Sequence, residues 1–172
     1  MRKDQQMPDV TFKTRVMGEW VEKTTADYFA GKRVILFGLP GAFTPTCSNQ
    51  QLPNYEKMFS EYRECNIDAI YCISVNDAFV MNAWADSQEI KNVEMIPDGT
   101  GEFTKKIGML VSKDNLGFGN RSWRYAAVIN DGKVEMPFSE PGKRDEADDD
   151  HYEGSAPENV IQYCRNEVAL AS

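Results

Sequence analysis

GLPGAFTPTC, residues 38–47, joins an apolar run to the start of a helical pattern. The run before it, Arg33-Val34-Ile35-Leu36-Phe37, has no alternating polar face, as expected of a strand covered on both sides. Gly38, Pro40, Gly41 and Pro45 break regular structure between the two. Thr44-Pro45 then reads as the cap and first residue of a helix, because the N–H that proline lacks would have no partner there. Cys47 falls in the first turn. The free N–H groups of that turn point toward the cap, and the macrodipole is positive there. Both favour the thiolate, the nucleophilic form of cysteine. A free cysteine is also a common small core residue, so position alone leaves the reactive and the inert reading open.

Outward from this stretch the chain alternates strands and helices. Residues 10–16 and 19–24 read as short strands about a Met17-Gly18 turn. Residues 46–63 read as a helix, with Tyr55, Met58, Phe59 and Tyr62 at i, i+3, i+4, i+7 marking its buried face. Pro53 cannot donate to the Asn49 carbonyl, so it is expected to separate the piece at 45–52 from the rest, leaving a short turn that can unwind. Ile67 to Val75 is a central strand, 77–87 a helix capped by Asn76 or Asp77, 93–96 a strand and 100–107 a helix. Trp123–Ile129 and Lys133–Met136 flank Asn130-Asp131-Gly132, a hairpin signal, and 157–168 is a final helix. The order predicts one α/β domain over residues 1–172, a mixed central sheet flanked by helices, with added N-terminal strands.

A second charged position matters. In SWRYAAVIN (122–130), Arg124, Ala126 and Val128 share one strand face and Trp123, Tyr125, Ala127 and Ile129 the other. A buried arginine needs an anion, since leaving it unpaired costs several kcal/mol, on the order of 3–5. A Cys47 thiolate would supply one; a structural salt bridge or an exposed strand start are the other readings.

Composition narrows the function classes. Lys plus Arg number 19 and Asp plus Glu 27, a net charge of −8, which argues against nucleic acid and anionic membranes as partners. No apolar run approaches the ~18 residues of a membrane span, and the start, MRKDQQMPDV, has no signal-peptide core. A cytoplasmic setting is expected, where the four cysteines stay reduced. No C-x-x-C pair is present, so neither a zinc ribbon nor a thioredoxin-type dithiol is encoded, and no metal site is expected. The acidic run DEADDD (145–150) reads as a solvated loop, and Asn120-Arg121-Ser122 as a coincidental glycosylation sequon. The lone histidine, His151, lies outside the motif.

Pro40-x-x-x-Thr44-x-x-Cys47 resembles the active-site signature of peroxiredoxins, and PGAFTPTCS (40–48) the type 5, or type II, branch. The likeness extends through WRY (123–125), the strand with Cys72 and DGTGEFTKKIG (98–108), covering about residues 8 to 136. It implies a thioredoxin-like fold and reduction of hydrogen peroxide and organic hydroperoxides. Cys47 would be the peroxidatic cysteine, its backbone N–H donating to the peroxide. Thr44 would hold the thiolate and peroxide oxygens, Arg124 would stabilise thiolate and developing oxyanion, and Pro40 would shield the pocket. Pro40's role comes from the resemblance alone. Gln51 falls where some relatives carry histidine and receives no catalytic role. Some relatives have a resolving cysteine in the C-terminal loop, but residues 137–156 contain none. Cys72 and Cys164 read as core, and Cys65 as turned away from the helix mouth. The expectation is a one-cysteine cycle with no bound cofactor, recycled by external glutathione or glutaredoxin, with thioredoxin as a further candidate. Some bacterial relatives are fused to a glutaredoxin domain; none is expected within residues 1–172. A homodimer is implied by the family. The rival readings are a peroxide sensor that signals through a partner and a holdase that kept the fold without turnover.

Overall fold

The computed structural model describes residues 1–171. Its centre is a five-stranded sheet in the order β5 (Glu94–Pro97), β4 (Ala69–Ser74), β3 (Arg33–Gly38), β8 (Tyr125–Asn130), β9 (Lys133–Ser139). β3 runs parallel to β4, and β4 to β5; β8 is antiparallel to both β3 and β9. The parallel crossover from β4 to β5 carries α4 (Ala78–Ser87), whose cap Asp77 accepts from the Val80 N–H at 2.9 Å. The β8–β9 hairpin turns at Asp131-Gly132, both with positive φ, as a tight turn demands.

Each sheet face is covered. On one lie β1 (Thr11–Val16), α1 (Thr25–Phe29) and α5 (Glu102–Lys106), whose Phe12, Tyr28, Phe29 and Phe103 pack with Trp123, Tyr125, Ala127 and Ile129. On the other lie α2 (Leu52–Lys57), α3 (Phe59–Glu64), α4 and α6 (Pro157–Ala171), packed with Ala126, Val128, Cys72 and Cys47. The two faces of SWRYAAVIN are therefore those its alternation predicts. β1 pairs only with β2 (Glu19–Thr24), as a separate N-terminal hairpin.

Four features differ from the sequence reading. α1 is too short for a periodicity, yet Thr24 and Asp27 form a capping box that starts it. β6 (Leu110–Ser112) and β7 (Asn120–Ser122) make a three-residue ladder, below the length at which alternation is readable. Pro53 does not interrupt the helix: residues 45 to 57 are helical throughout, winding as a π-turn over Cys47–Gln51 and as α2 from Leu52. The break comes later, at Met58, whose ψ of 6° leaves the helical range.

Candidate active site

β3 ends at Gly38, and the loop beyond it delivers Cys47 to the centre of the molecule. Phe43 turns that loop with a φ of 64°, a left-handed conformation that is strained in a bulky residue. The Ser48 N–H donates to the Thr44 carbonyl at 2.9 Å, which places Thr44 at the start of the first turn. Its side chain does not cap the helix, however. The Thr44 hydroxyl donates to the Gly41 carbonyl at 2.8 Å, so its hydrogen is engaged there and its lone pairs are left to accept. Pro40 is buried and borders a cleft of about 280 Å³ together with Thr44, Leu116, Phe118, Arg124 and Asp150.

Cys47 is fully buried, and Arg124 is 3% exposed. Arg124 Nη1 donates to the Cys47 sulfur at 3.3 Å, the contact that the sequence reading left open among three alternatives. The same nitrogen donates to Gln51 Oε1, while Nη2 and Nε donate to Asp150 Oδ1 at 2.8 and 3.3 Å. Burial pulls the guanidinium pKa down, but the Cys47 sulfur and the Asp150 carboxylate outweigh it and hold it above its ordinary value. The arginine is thus fixed on three sides and presents one N–H to the sulfur.

Three neighbours escaped the sequence reading. Asp150 belongs to the acidic run read as a solvated loop; that loop folds back so that this carboxylate meets Arg124. Gln51 is fully buried, with Nε2 unpartnered and Oε1 on Arg124. Arg121 donates to the Pro40 carbonyl at 3.1 Å and to the Phe118 carbonyl at 3.3 Å. Burial lowers its pKa, and the Cys47 sulfur opposes that shift, so Arg121 shares the field around the thiol. A second arginine three residues before Arg124 was the available signal, obscured by its reading as part of a sequon.

The other cysteines are free and buried. Burial, then repulsion from Cys47, holds the Cys72 thiol well above its ordinary range. Burial pushes Cys164 up to about 11. Cys65 caps the end of α3. His151 contacts Asp149 on the exposed loop. Among the described residues no cluster of His, Cys, Asp or Glu could hold a metal ion, and no helix is long and apolar enough to cross a membrane.

The Redoxin family model matches residues 2–154. A peroxiredoxin of Rhizobium etli is 59% identical over 171 residues, covering 94% of this chain and 96% of that protein. The antioxidant protein of Plasmodium falciparum, described as a 1-Cys peroxiredoxin, superposes with a TM-score of 0.93 at 34% identity, over 96% of this chain and 99% of the other. Reduced Prx3 of Vibrio vulnificus in complex with H2O2 superposes with a TM-score of 0.88 at 34% identity, over 98% of both chains.

Proposed function

The chain belongs to the Redoxin family and is a peroxiredoxin, a thiol-dependent peroxidase on a thioredoxin-like fold, and from that premise we propose that Cys47 carries a one-cysteine cycle. The observation that supports Cys47 as the reacting sulfur is its buried contact with Arg124 Nη1 at 3.3 Å. The thiolate attacks one oxygen of the hydroperoxide in line. The O–O bond breaks, its electron pair leaves with the distal oxygen, and a proton completes water or an alcohol. Cys47 is left as the sulfenic acid, the reversible first rung of thiol oxidation.

Thr44 positions the peroxide. Because its hydroxyl hydrogen is held by Gly41, its oxygen accepts the peroxide O–H and holds that same terminal oxygen toward sulfur, so that the other oxygen leaves. Arg124 steadies the thiolate and the charge moving onto the leaving oxygen, and the Cys47 N–H adds a backbone donor. Pro40 keeps water from the pocket. Asp150 and Gln51 hold the guanidinium in register. Fixed donors around the splitting bond, rather than a relay of protons, supply the acceleration.

An external thiol then attacks the sulfenic acid. The burial that keeps Cys72 and Cys164 protonated supports this reading, as does the likeness to a protein described as a 1-Cys peroxiredoxin. Glutathione, with or without glutaredoxin, is the proposed reductant in a cytoplasmic setting. Exposed Trp20, Phe43 and Phe79 offer apolar surface for the homodimer this reading includes. Steady-state turnover of hydrogen peroxide with glutathione and glutaredoxin, in Cys65→Ala, Cys72→Ala and Cys164→Ala variants, tests the cycle. All three are expected to keep turning over; loss in one folded variant defeats the one-cysteine proposal.

A further inference from the structure

Cys47 has no exposed surface, so a thiol reaches its sulfenic acid only after the π-turn opens. The groups that hold the turn shut lie on the neighbouring helix. π-winding commits the Leu52 N–H to the Cys47 carbonyl, five residues back. Residue 53 is a proline and has no N–H. The Ser48 carbonyl therefore loses both donors that α- or π-winding would offer it. Its partner comes from outside: Gln88 Nε2 donates to that carbonyl at 3.0 Å. Four residues earlier on the same helix, Trp84 Nε1 donates to the Ser48 hydroxyl, also at 3.0 Å. Trp84 is fully buried in α4, and Gln88 is its C-cap.

We propose that Gln88, together with Trp84, is a positioning latch that sets how often the Cys47 turn opens and so divides the sulfenic acid between two fates. The inference rests on the one-cysteine reading. With the turn closed, a second hydroperoxide oxidises the same sulfur: Cys–SOH + ROOH gives Cys–SO2H + ROH, which a thiol does not reverse. With the turn open, an external thiol forms the mixed disulfide: Cys–SOH + RSH gives Cys–S–SR + H2O. The Gln88 bond goes to the backbone of Ser48 and to none of Cys47, Thr44 or Arg124, so it bears on opening and leaves the first peroxide step alone. Loss of one such hydrogen bond raises opening about 2- to 10-fold.

Gln88→Met keeps the length and removes the donor, and Gln88→Lys restores a donor at similar reach. In a Cys47→Ser background, amide exchange at Ser48 and Leu52, whose N–H groups bond the Thr44 and residue-47 carbonyls, reads the opening by NMR. Exchange there is expected to rise about 2- to 10-fold in Gln88→Met, to return toward the parent in Gln88→Lys, and to stay unchanged in β3 and β8. With Cys47 intact, hydrogen peroxide and 2-mercaptoethanol should give a fall of similar size in sulfinic acid formed per turnover. The single-turnover peroxide rate should stay within about twofold. Unchanged exchange, a rise spread over the whole fold, or a parallel loss of the peroxide step would each overturn the latch. The exchange arm contains no thiol and no peroxide, so its failure counts against the latch alone. An intramolecular disulfide in oxidised wild type counts instead against the one-cysteine reading.

Discussion

Replacing Arg124 perturbs the site at its most informative atom. Nη1 lies 3.3 Å from the Cys47 sulfur, and both residues are buried. At an effective dielectric near 20, a full charge pair at that distance is worth roughly 5 kcal/mol. That figure is an upper value, because Asp150 sits on the same guanidinium and offsets part of its charge. A hydrogen bond to a charged partner contributes about 1.5–3 kcal/mol net, which corresponds to about 10- to 100-fold in rate. Arg124→Gln should therefore slow the single-turnover reaction with hydrogen peroxide by about 10- to 100-fold. Arg124→Lys keeps the charge but loses the fork that reaches Cys47, Gln51 and Asp150 together, and should cost roughly tenfold. Stopped-flow fluorescence at pH 7 gives the rates, and urea unfolding shows whether each variant is folded. If both folded variants react within about threefold of wild type, the role assigned to Arg124 is wrong.

Three further outcomes follow from other parts of the molecule. Cys72 and Cys164 should resist alkylation by iodoacetamide at pH 8 in the native state and react once unfolded, because burial keeps both thiols protonated; rapid native labelling of either would refute their burial. The hydrogen bond from Arg33, aided by Tyr163 and Asn130 and opposed by burial, holds Glu135 down to about 2 from an ordinary value of 4.5. A depressed carboxylate stabilises the fold above its unfolded pKa, so the contribution is full near pH 7, falls between about pH 4.5 and 2, and is gone below. With solvent screening, Glu135→Gln should cost about 1–2 kcal/mol in urea unfolding at pH 7, a difference that shrinks over that acid window; a constant difference would contradict it. Gly38→Ala would set a Cβ 2.3 Å from the buried Tyr125 ring across the β3–β8 pair and should lower stability by about 1–3 kcal/mol, read as a lower urea midpoint.

Much of this architecture was legible because it rests on long patterns. The apolar run at 33–37, the alternation in SWRYAAVIN and the Asn130-Asp131-Gly132 turn each encode a local geometry that the tertiary fold keeps. Cys47 and Arg124 were legible for a related reason: a cysteine at a helix mouth and a charge inside an apolar strand each need a partner, and they are one another's. The residues that brace them were not. Asp150 reaches Arg124 only because a 17-residue connection between β9 and α6, residues 140–156, folds back over the site, and no periodicity encodes that path. Gln51 is a polar residue whose burial depends on the π-turn, and π-winding has no sequence signature beyond Pro53. The winding also altered the expected consequence of Pro53: the chain bends its hydrogen-bond pattern around the missing N–H instead of ending the helix, and transfers the orphaned carbonyl to α4.

Treating the reduced protein with one equivalent of hydrogen peroxide, trapping sulfenic acid with dimedone and mapping the adduct by mass spectrometry locates the reacting sulfur. The structure predicts the adduct on Cys47 alone, with Cys65, Cys72 and Cys164 still reduced. An adduct on any of those three, or none on Cys47 while peroxide is consumed, would contradict it.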